Sequence, residues 1–179
     1  MRIILVAVMS IDGKITAGNK TPVHKWASTE DQRYFSALVK KSRLVIMGRK
    51  TFDSAKPKMK LSPQTLRIVL TRKPEAFAKL AVPKQLEFTD ESPKMLLKKF
   101  EKLGYKEALL VGGAEINATF LRENLVDELW LTIEPLLLGR GKEMYAGDTR
   151  TTRLRLVSIR RLNRPGTLLL HYTSNRNTL

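Results

Sequence analysis

Residues 109–120 read Leu109-Leu110-Val111-Gly112-Gly113-Ala114-Glu115-Ile116-Asn117-Ala118-Thr119-Phe120. An apolar run stops at two glycines, and a helical pattern begins behind them. Paired glycines let the backbone approach a ligand closely and aim free N–H groups at it, which is how a strand-to-helix junction holds a phosphate. A tight turn uses the same residues, so this stretch needs support from the rest of the chain.

Outward from that junction, strand and helix alternate. Residues 2–9 form a near-continuous apolar run, the pattern of a strand covered on both faces. Ser10 to Trp26 is polar, contains glycine and is too long for a simple turn, which marks a functional loop. Ser28 or Thr29 caps a helix with Glu30 and Asp31 in its first turn and Tyr34, Phe35 and Leu38 at helical spacing. Leu44 to Met47 is a strand that halts at Gly48 before Arg49-Lys50-Thr51-Phe52. Asp53 to Gln64 is Lys- and Pro-rich and reads as surface loop, and Leu66 to Leu70 is a third strand ending at Thr71-Arg72-Lys73.

A short strand at Leu86 to Phe88 precedes an amphipathic helix from Ser92 to Leu103, with Pro93 at its first position. The opening stretch then contributes a strand at Ala108 to Val111 and a helix at Asn117 to Leu121. Val126 to Ile133 alternates as a strand, and Glu134 to Asp148 reads as a glycine-containing loop. Two last strands, Leu154 to Arg161 and Thr167 to Thr173, flank Asn163-Arg164-Pro165-Gly166 and predict an antiparallel hairpin. The fold class expected is α/β, with a mixed sheet of about eight strands, parallel in the middle, flanked by helices and closed by that hairpin. All 179 residues are expected to form one domain.

Composition narrows the chemistry. The chain has no cysteine, which excludes disulfides, thiolate metal sites and a thiol nucleophile. His24 and His171 stand in unrelated contexts, no metal site is expected, and His171 reads as structural. The apolar first residues lack a small-residue cleavage site, and no later run is long enough to span a membrane, so a cytoplasmic location is expected. The formal charge is +16, and residues 149–179 carry seven Arg and no acid. Such a balance attracts anions of any kind, among them nucleic acids and nucleotide cofactors.

The strand ends converge on one idea. Ligands of open α/β sheets lie beyond the carboxyl ends of the parallel strands, and here these ends carry Gly48-Arg49-Lys50-Thr51, Thr71-Arg72-Lys73 and Gly112-Gly113. Two backbone cradles and two basic clusters suit a ligand with several phosphates. Arg49 or Arg72 taken alone reads equally well as solvated surface charge.

These residues resemble the dihydrofolate reductase superfamily over nearly the whole chain. Trp26, Asp31 and Phe35 have the spacing of the reductase Trp, carboxylate and Phe around the first helix. Gly48-Arg49-Lys50-Thr51-Phe52 resembles the Gly-Arg-x-Thr-aromatic motif of the NADPH phosphate site. Val111-Gly112-Gly113 resembles the glycine pair under the pyrophosphate, and Val126 to Thr132 the penultimate strand with its Thr. The resemblance implies NADPH as hydride donor, bound by Ala7, Ile15, Gly48, Arg49, Lys50, Thr51, Thr71, Arg72, Lys73, Val111, Gly112, Gly113, Ala114, Glu115 and Ile116. It implies substrate contacts from Ala7, Trp26, Asp31, Phe35 and Thr132, with Ser10, Asp12 and Lys14 added if the substrate is phosphorylated.

Two branches of the superfamily compete for the substrate. Ser10-Ile11-Asp12-Gly13-Lys14-Ile15, Leu125-Val126-Asp127-Glu128 and Pro135-Leu136-Leu137-Leu138-Gly139 are similar to the reductase domain of riboflavin biosynthesis, which reduces a phosphoribosylamino-pyrimidine. Val111 stands where that branch usually has Glu, and its Asp-Pro-x-Leu-Thr segment is missing. Folate reductases place an Arg before the third strand for the glutamyl carboxylate, and the nearest candidate, Arg67, sits two residues late.

Asp31 is the expected catalytic group. Reducing a C=N bond needs hydride at carbon and a proton at nitrogen, and a carboxyl group in an apolar pocket beside Trp26 and Phe35 is raised in pKa and holds an amino-pyrimidine edge. The alternative is an early-helix acid complementing the helix dipole, worth ~0.3–1 kcal/mol. The expectation is an NADPH-dependent reductase of a pteridine, dihydrofolate first and the riboflavin-pathway pyrimidine second. A nucleic-acid-binding module suits the charge but lacks interleaved aromatics and any recognisable motif. The oligomeric state, a homodimer included, stays open.

Overall fold

A computed structural model describes residues 1–18, 22–147 and 151–174. Parts of both expected loops (19–21 and 148) and two of the seven arginines, Arg150 and Arg176, lie outside the described residues. Among the described residues, eight strands form one sheet: β1 (Arg2–Ser10), β2 (Leu44–Gly48), β3 (Leu66–Leu70), β4 (Leu86–Thr89), β5 (Glu107–Leu110), β6 (Glu128–Glu134), β7 (Leu154–Arg161) and β8 (Leu168–Ser174). Their order across the sheet is β4-β3-β2-β5-β1-β6-β8-β7. The first six positions in that order pair in parallel, and β8 joins β6 and β7 antiparallel. The mixed sheet with its closing hairpin is the architecture the apolar runs implied.

Four α-helices of the described residues cover the faces: α1 (Thr29–Lys41), α2 (Arg49–Ala55), α3 (Pro93–Lys102) and α4 (Ala114–Arg122). The central strands are buried on both sides, so their side chains sort into two cores. Ile3, Leu5, Ile46, Ile68 and Leu110 pack with Leu96 and Phe100 of α3 and Phe120 of α4. Ile4, Val6, Val45, Met47 and Val69 face the other way, toward Phe52 of α2 and Leu38 and Val39 of α1. Phe52 is 1% exposed and meets Phe88 edge-on at 5.2 Å, which fixes α2 and with it the residues that follow Gly48. Truncating such a buried ring costs about 3–5 kcal/mol.

Two helices differ from expectation. The stretch after Gly48 is helical through Ala55, where loop was expected from Asp53, and a 3-10 turn at Lys56–Lys58 continues it. Anchoring by Phe52 overrides the Lys- and Pro-rich composition there. α4 begins at Ala114, directly behind the glycines, rather than at Asn117. The hairpin stands as read: Asn163 Oδ1 accepts from the amides of Gly166 and Thr167, and Gly166 takes the positive φ of +109° that its turn requires.

Candidate active site

The amide of Gly48 donates to the carbonyl of Gly112 at 2.7 Å, and that of Val111 to Ile46 at 3.0 Å, so the ends of β2 and β5 meet. Little room is left around them. A Cβ on Gly48 would lie 2.7 Å from Ile116 Cγ1, and one on Gly113 would lie 3.1 Å from Thr51 Oγ1. Gly112 has φ +93°, a conformation side chains disfavour, and the Gly112–Gly113 peptide is cis. Gly113 is the N-cap of α4 without a side-chain cap, and the amide of Asn117 is the first to bond back, to the Gly113 carbonyl. The amides of Ala114, Glu115 and Ile116 therefore lead the helix, with its positive dipole end, into this cradle.

Buried Asn117 lies beneath it. Its amide nitrogen donates to the Met144 carbonyl at 2.7 Å, while its Oδ1 is buried without a partner. An unpaired buried acceptor beside a glycine cradle fits a bound group that carries hydroxyls. The sequence reading missed Asn117, although its place in the first turn behind Gly112-Gly113 was the available signal.

Cations surround the cradle, in a different arrangement from the one expected. Lys50 pairs with Glu115 at 2.6 Å and holds that carboxyl below its usual range, with Lys142 and Arg72 adding to the effect. Arg49 instead pairs with Asp53 at 2.5 Å along α2. Thr71 closes β3, its amide on the Thr89 carbonyl, and Arg72 and Lys73 are exposed beyond it. Lys142 went unnoticed because it belongs to the cradle only through folding.

Asp31 lies by β6, which β1 separates from β5 in the sheet. It is the one buried residue of α1, at 6% exposure. Ser28 caps the helix, its Oγ accepting from the Asp31 amide at 3.2 Å. Burial pushes the Asp31 carboxyl up to about 6, the Thr132 hydroxyl works against that shift, and the nearby charge of Glu134 adds to it. Thr132 stands on β6 opposite Val8, one residue past the Ala7–Leu131 pair. The pocket walls differ from expectation in one respect. Phe35, one turn beyond Asp31, is 37% exposed, and the side chains that act on the carboxyl come from β6. Trp26 has a buried indole N–H without a partner.

The first loop is tied to the loop after β6. Ser10 Oγ donates to Asp12 at 2.5 Å, and Asp12 accepts from the amides of Leu138 and Gly139 at 3.1 and 2.8 Å. The hydroxyl of Ser10 and those two amides hold the Asp12 carboxyl down at about 2. Lys14 pairs with Glu143 at 3.0 Å, and the Ile15 amide donates to the Lys142 carbonyl at 2.8 Å. Ser10, Asp12 and Lys14 thus spend their polar groups joining two loops. Arg67, the folate-type candidate, is 6% exposed and donates to the carbonyls of Lys60 and Thr65, with burial lowering its pKa. His171 is structural, as read: its Nε2 meets Glu128 Oε2 at 2.8 Å, on the carboxylate that also accepts from Trp130.

The described residues contain no group of three or more His, Asp or Glu able to hold a metal, and no helix among them is long and apolar enough to cross a membrane. Fold and strand-end cradle define a member of the dihydrofolate reductase-like superfamily. Within it, the chain belongs to the RibD C-terminal domain family, whose model matches residues 1–167. It is 28% identical over 168 residues to Bacillus subtilis "Uncharacterized protein YyaP", covering 89% of this chain and 88% of that one. It is 32% identical over 139 residues to a Caenorhabditis elegans "Putative dihydrofolate reductase", covering 72% and 69%. A crystal structure of a "Putative riboflavin biosynthesis protein" from Shewanella sp. PV-4 superposes with a TM-score of 0.78 at 21% identity, covering 98% and 100%.

Proposed function

We propose that the chain is an NADPH-dependent oxidoreductase that reduces a C=N bond of a phosphoribosylated amino-pyrimidine. The observation that carries this reading is Asp31, a carboxyl group that is the most buried residue of its helix and is pushed up to about 6. Helices of this kind bury apolar side chains; a carboxyl in that position costs stability, and a chemical role is a reason for it to be there. Near neutral pH a useful fraction of it is protonated, as a proton donor requires.

The family match and the place of Arg67 favour the pyrimidine over dihydrofolate, the first expectation. With its donors on main-chain carbonyls, Arg67 is poorly disposed to hold a glutamyl carboxylate.

The cofactor would supply hydride when bound. Its pyrophosphate suits the Gly48, Gly112 and Gly113 cradle at the head of α4, and Arg72, Lys50 and Lys142 suit the remaining phosphate charge. Asp31 would hold the amino-pyrimidine edge and give its proton to the substrate nitrogen. Thr132 would orient the carboxyl, and Trp26 would offer its indole N–H.

The test is NADPH oxidation by the purified protein with 5-amino-6-(phosphoribosylamino)pyrimidine or 7,8-dihydrofolate as acceptor. Turnover of the first and not the second is expected. Turnover of dihydrofolate alone would return the chain to the folate branch.

A further inference from the structure

Glu134 sits at the end of β6, where the sequence read as loop, and is 3% exposed. Its Oε1 accepts from the Ser28 amide and its Oε2 from the Thr167 hydroxyl, both at 2.7 Å. Asn163 Nδ2 donates onward to Thr167 Oγ1 at 2.8 Å and to Glu30 Oε2 at 3.2 Å. One buried carboxylate therefore joins the hairpin turn after β7 to the N-cap of α1. Ser28 in turn caps the Asp31 amide, so Glu134 stands two hydrogen bonds from the backbone of Asp31.

Neutral donors hold both oxygens of this buried group. A clamp between an amide and a hydroxyl needs only an acceptor, yet the chain places an acid there, and burying its charge is costly. What a charge adds is a field, and Asp31 lies within it. A second negative charge at Asp31 is then opposed, as when two carboxylates share a site.

We propose that Glu134 is a positioning residue for the reduction: it fixes the first turn of α1 against the hairpin and, alongside burial, favours the protonated form of Asp31 that gives its proton to the substrate nitrogen. Asp31 is left as a carboxylate and regains a proton from water before the next turnover, so Glu134 itself exchanges none. Among the described residues, the other charged or titratable groups that act on this cluster are on α1 and β7. Glu30 is engaged by Asn163, Arg33 acts on Glu30, and Tyr34 is buried, its phenol pushed up to about 12, with Arg160 of β7 facing it.

This inference rests on the reductase reading of Asp31, and its test is chosen to work without turnover. Carboxyl ¹³C NMR follows the Asp31 titration in wild type, Glu134→Gln and Glu134→Asp. Gln keeps the shape and removes the charge, so the Asp31 midpoint should fall by about one pH unit or more, on the order of tenfold in proton affinity. Asp keeps the charge, so its midpoint should stay raised even with the clamp loosened. An Asp31 midpoint that is the same in Glu134→Gln as in wild type overturns the proposal. Should Glu134→Gln not fold, Glu134→Asp decides: an Asp31 midpoint that drops to the ordinary carboxylate range with the charge kept overturns the proposal. If the midpoint falls as expected while neither substrate is reduced, the coupling stands and the reductase reading alone fails.

Discussion

Gly48 and Ile116 are in contact across the strand ends: the isoleucine Cγ1 occupies space 2.7 Å from where a Cβ on Gly48 would stand. Gly48→Ala must therefore push Ile116, and the first turn of α4 with it, out of place. NADPH affinity is expected to fall about tenfold or more, roughly 1.4 kcal/mol. Gly113→Ala meets only the Thr51 hydroxyl, at 3.1 Å, in a backbone conformation open to any residue, and should fold normally while crowding the cradle. Fluorescence titration with NADPH, alongside circular dichroism, checks both variants. Unchanged affinity in both would make the cradle a simple turn.

Preference for NADPH over NADH is expected to depend on Arg72 more than on Arg49, because Arg49 is engaged with Asp53. A charge-assisted contact at an exposed site sits at the low end of its range, about 1.5 kcal/mol, so Arg72→Ala should weaken NADPH roughly tenfold. NADH binding should hardly change. Equal losses for both cofactors would remove Arg72 from the phosphate site.

Asp12 is expected to act as a loop tie. Asp12→Ala leaves the amides of Leu138 and Gly139 without their carboxylate acceptor. Hydrogen exchange at those two amides should quicken while exchange in β1 and β6 stays as in wild type. Unchanged exchange would show that the loops hold without it.

The folded-state pKa of Asp31, about 6, lies above its ordinary value of 3.8. Between those values the folded protein binds more protons than the unfolded chain, so stability falls as pH rises through this window. Above about pH 6 the full penalty applies, on the order of 3 kcal/mol for a shift of this size. Asp31→Asn should accordingly raise Tm at pH 8, with the gain disappearing near pH 4. A variant no more stable than wild type at pH 8 would show that the carboxylate is not strained in the fold.

Much of this architecture was legible in the sequence because the central strands are buried on both faces and read as largely apolar runs, those of β2 and β5 stopping at glycine. Asn163-Arg164-Pro165-Gly166 announced the hairpin by the same local logic, since a turn needs its own residues. Helix α2 was hidden because Phe52, a single aromatic, anchors it through distant Phe88. At the candidate site, spacing and resemblance pointed to Asp31 and the glycine pair, whereas neither pointed to Glu134, Asn117 or Lys142. Their partners Ser28, Thr167, Met144 and Glu115 lie far off along the chain. Glu134 left one trace: with Glu128, Trp130 and Thr132 it continues the alternation of a single strand face.

The most direct test of the account is single-turnover hydride transfer from NADPH to the phosphoribosylated amino-pyrimidine, measured for wild type and Asp31→Asn from pH 5 to 8. General acid help is worth ~10²–10⁴-fold, so the variant should be slower by about that factor with NADPH affinity little changed. The wild-type rate should decline above about pH 6 as Asp31 loses its proton. Wild-type-like transfer by Asp31→Asn across that range would contradict the assignment of Asp31 as the proton donor and with it the proposed mechanism.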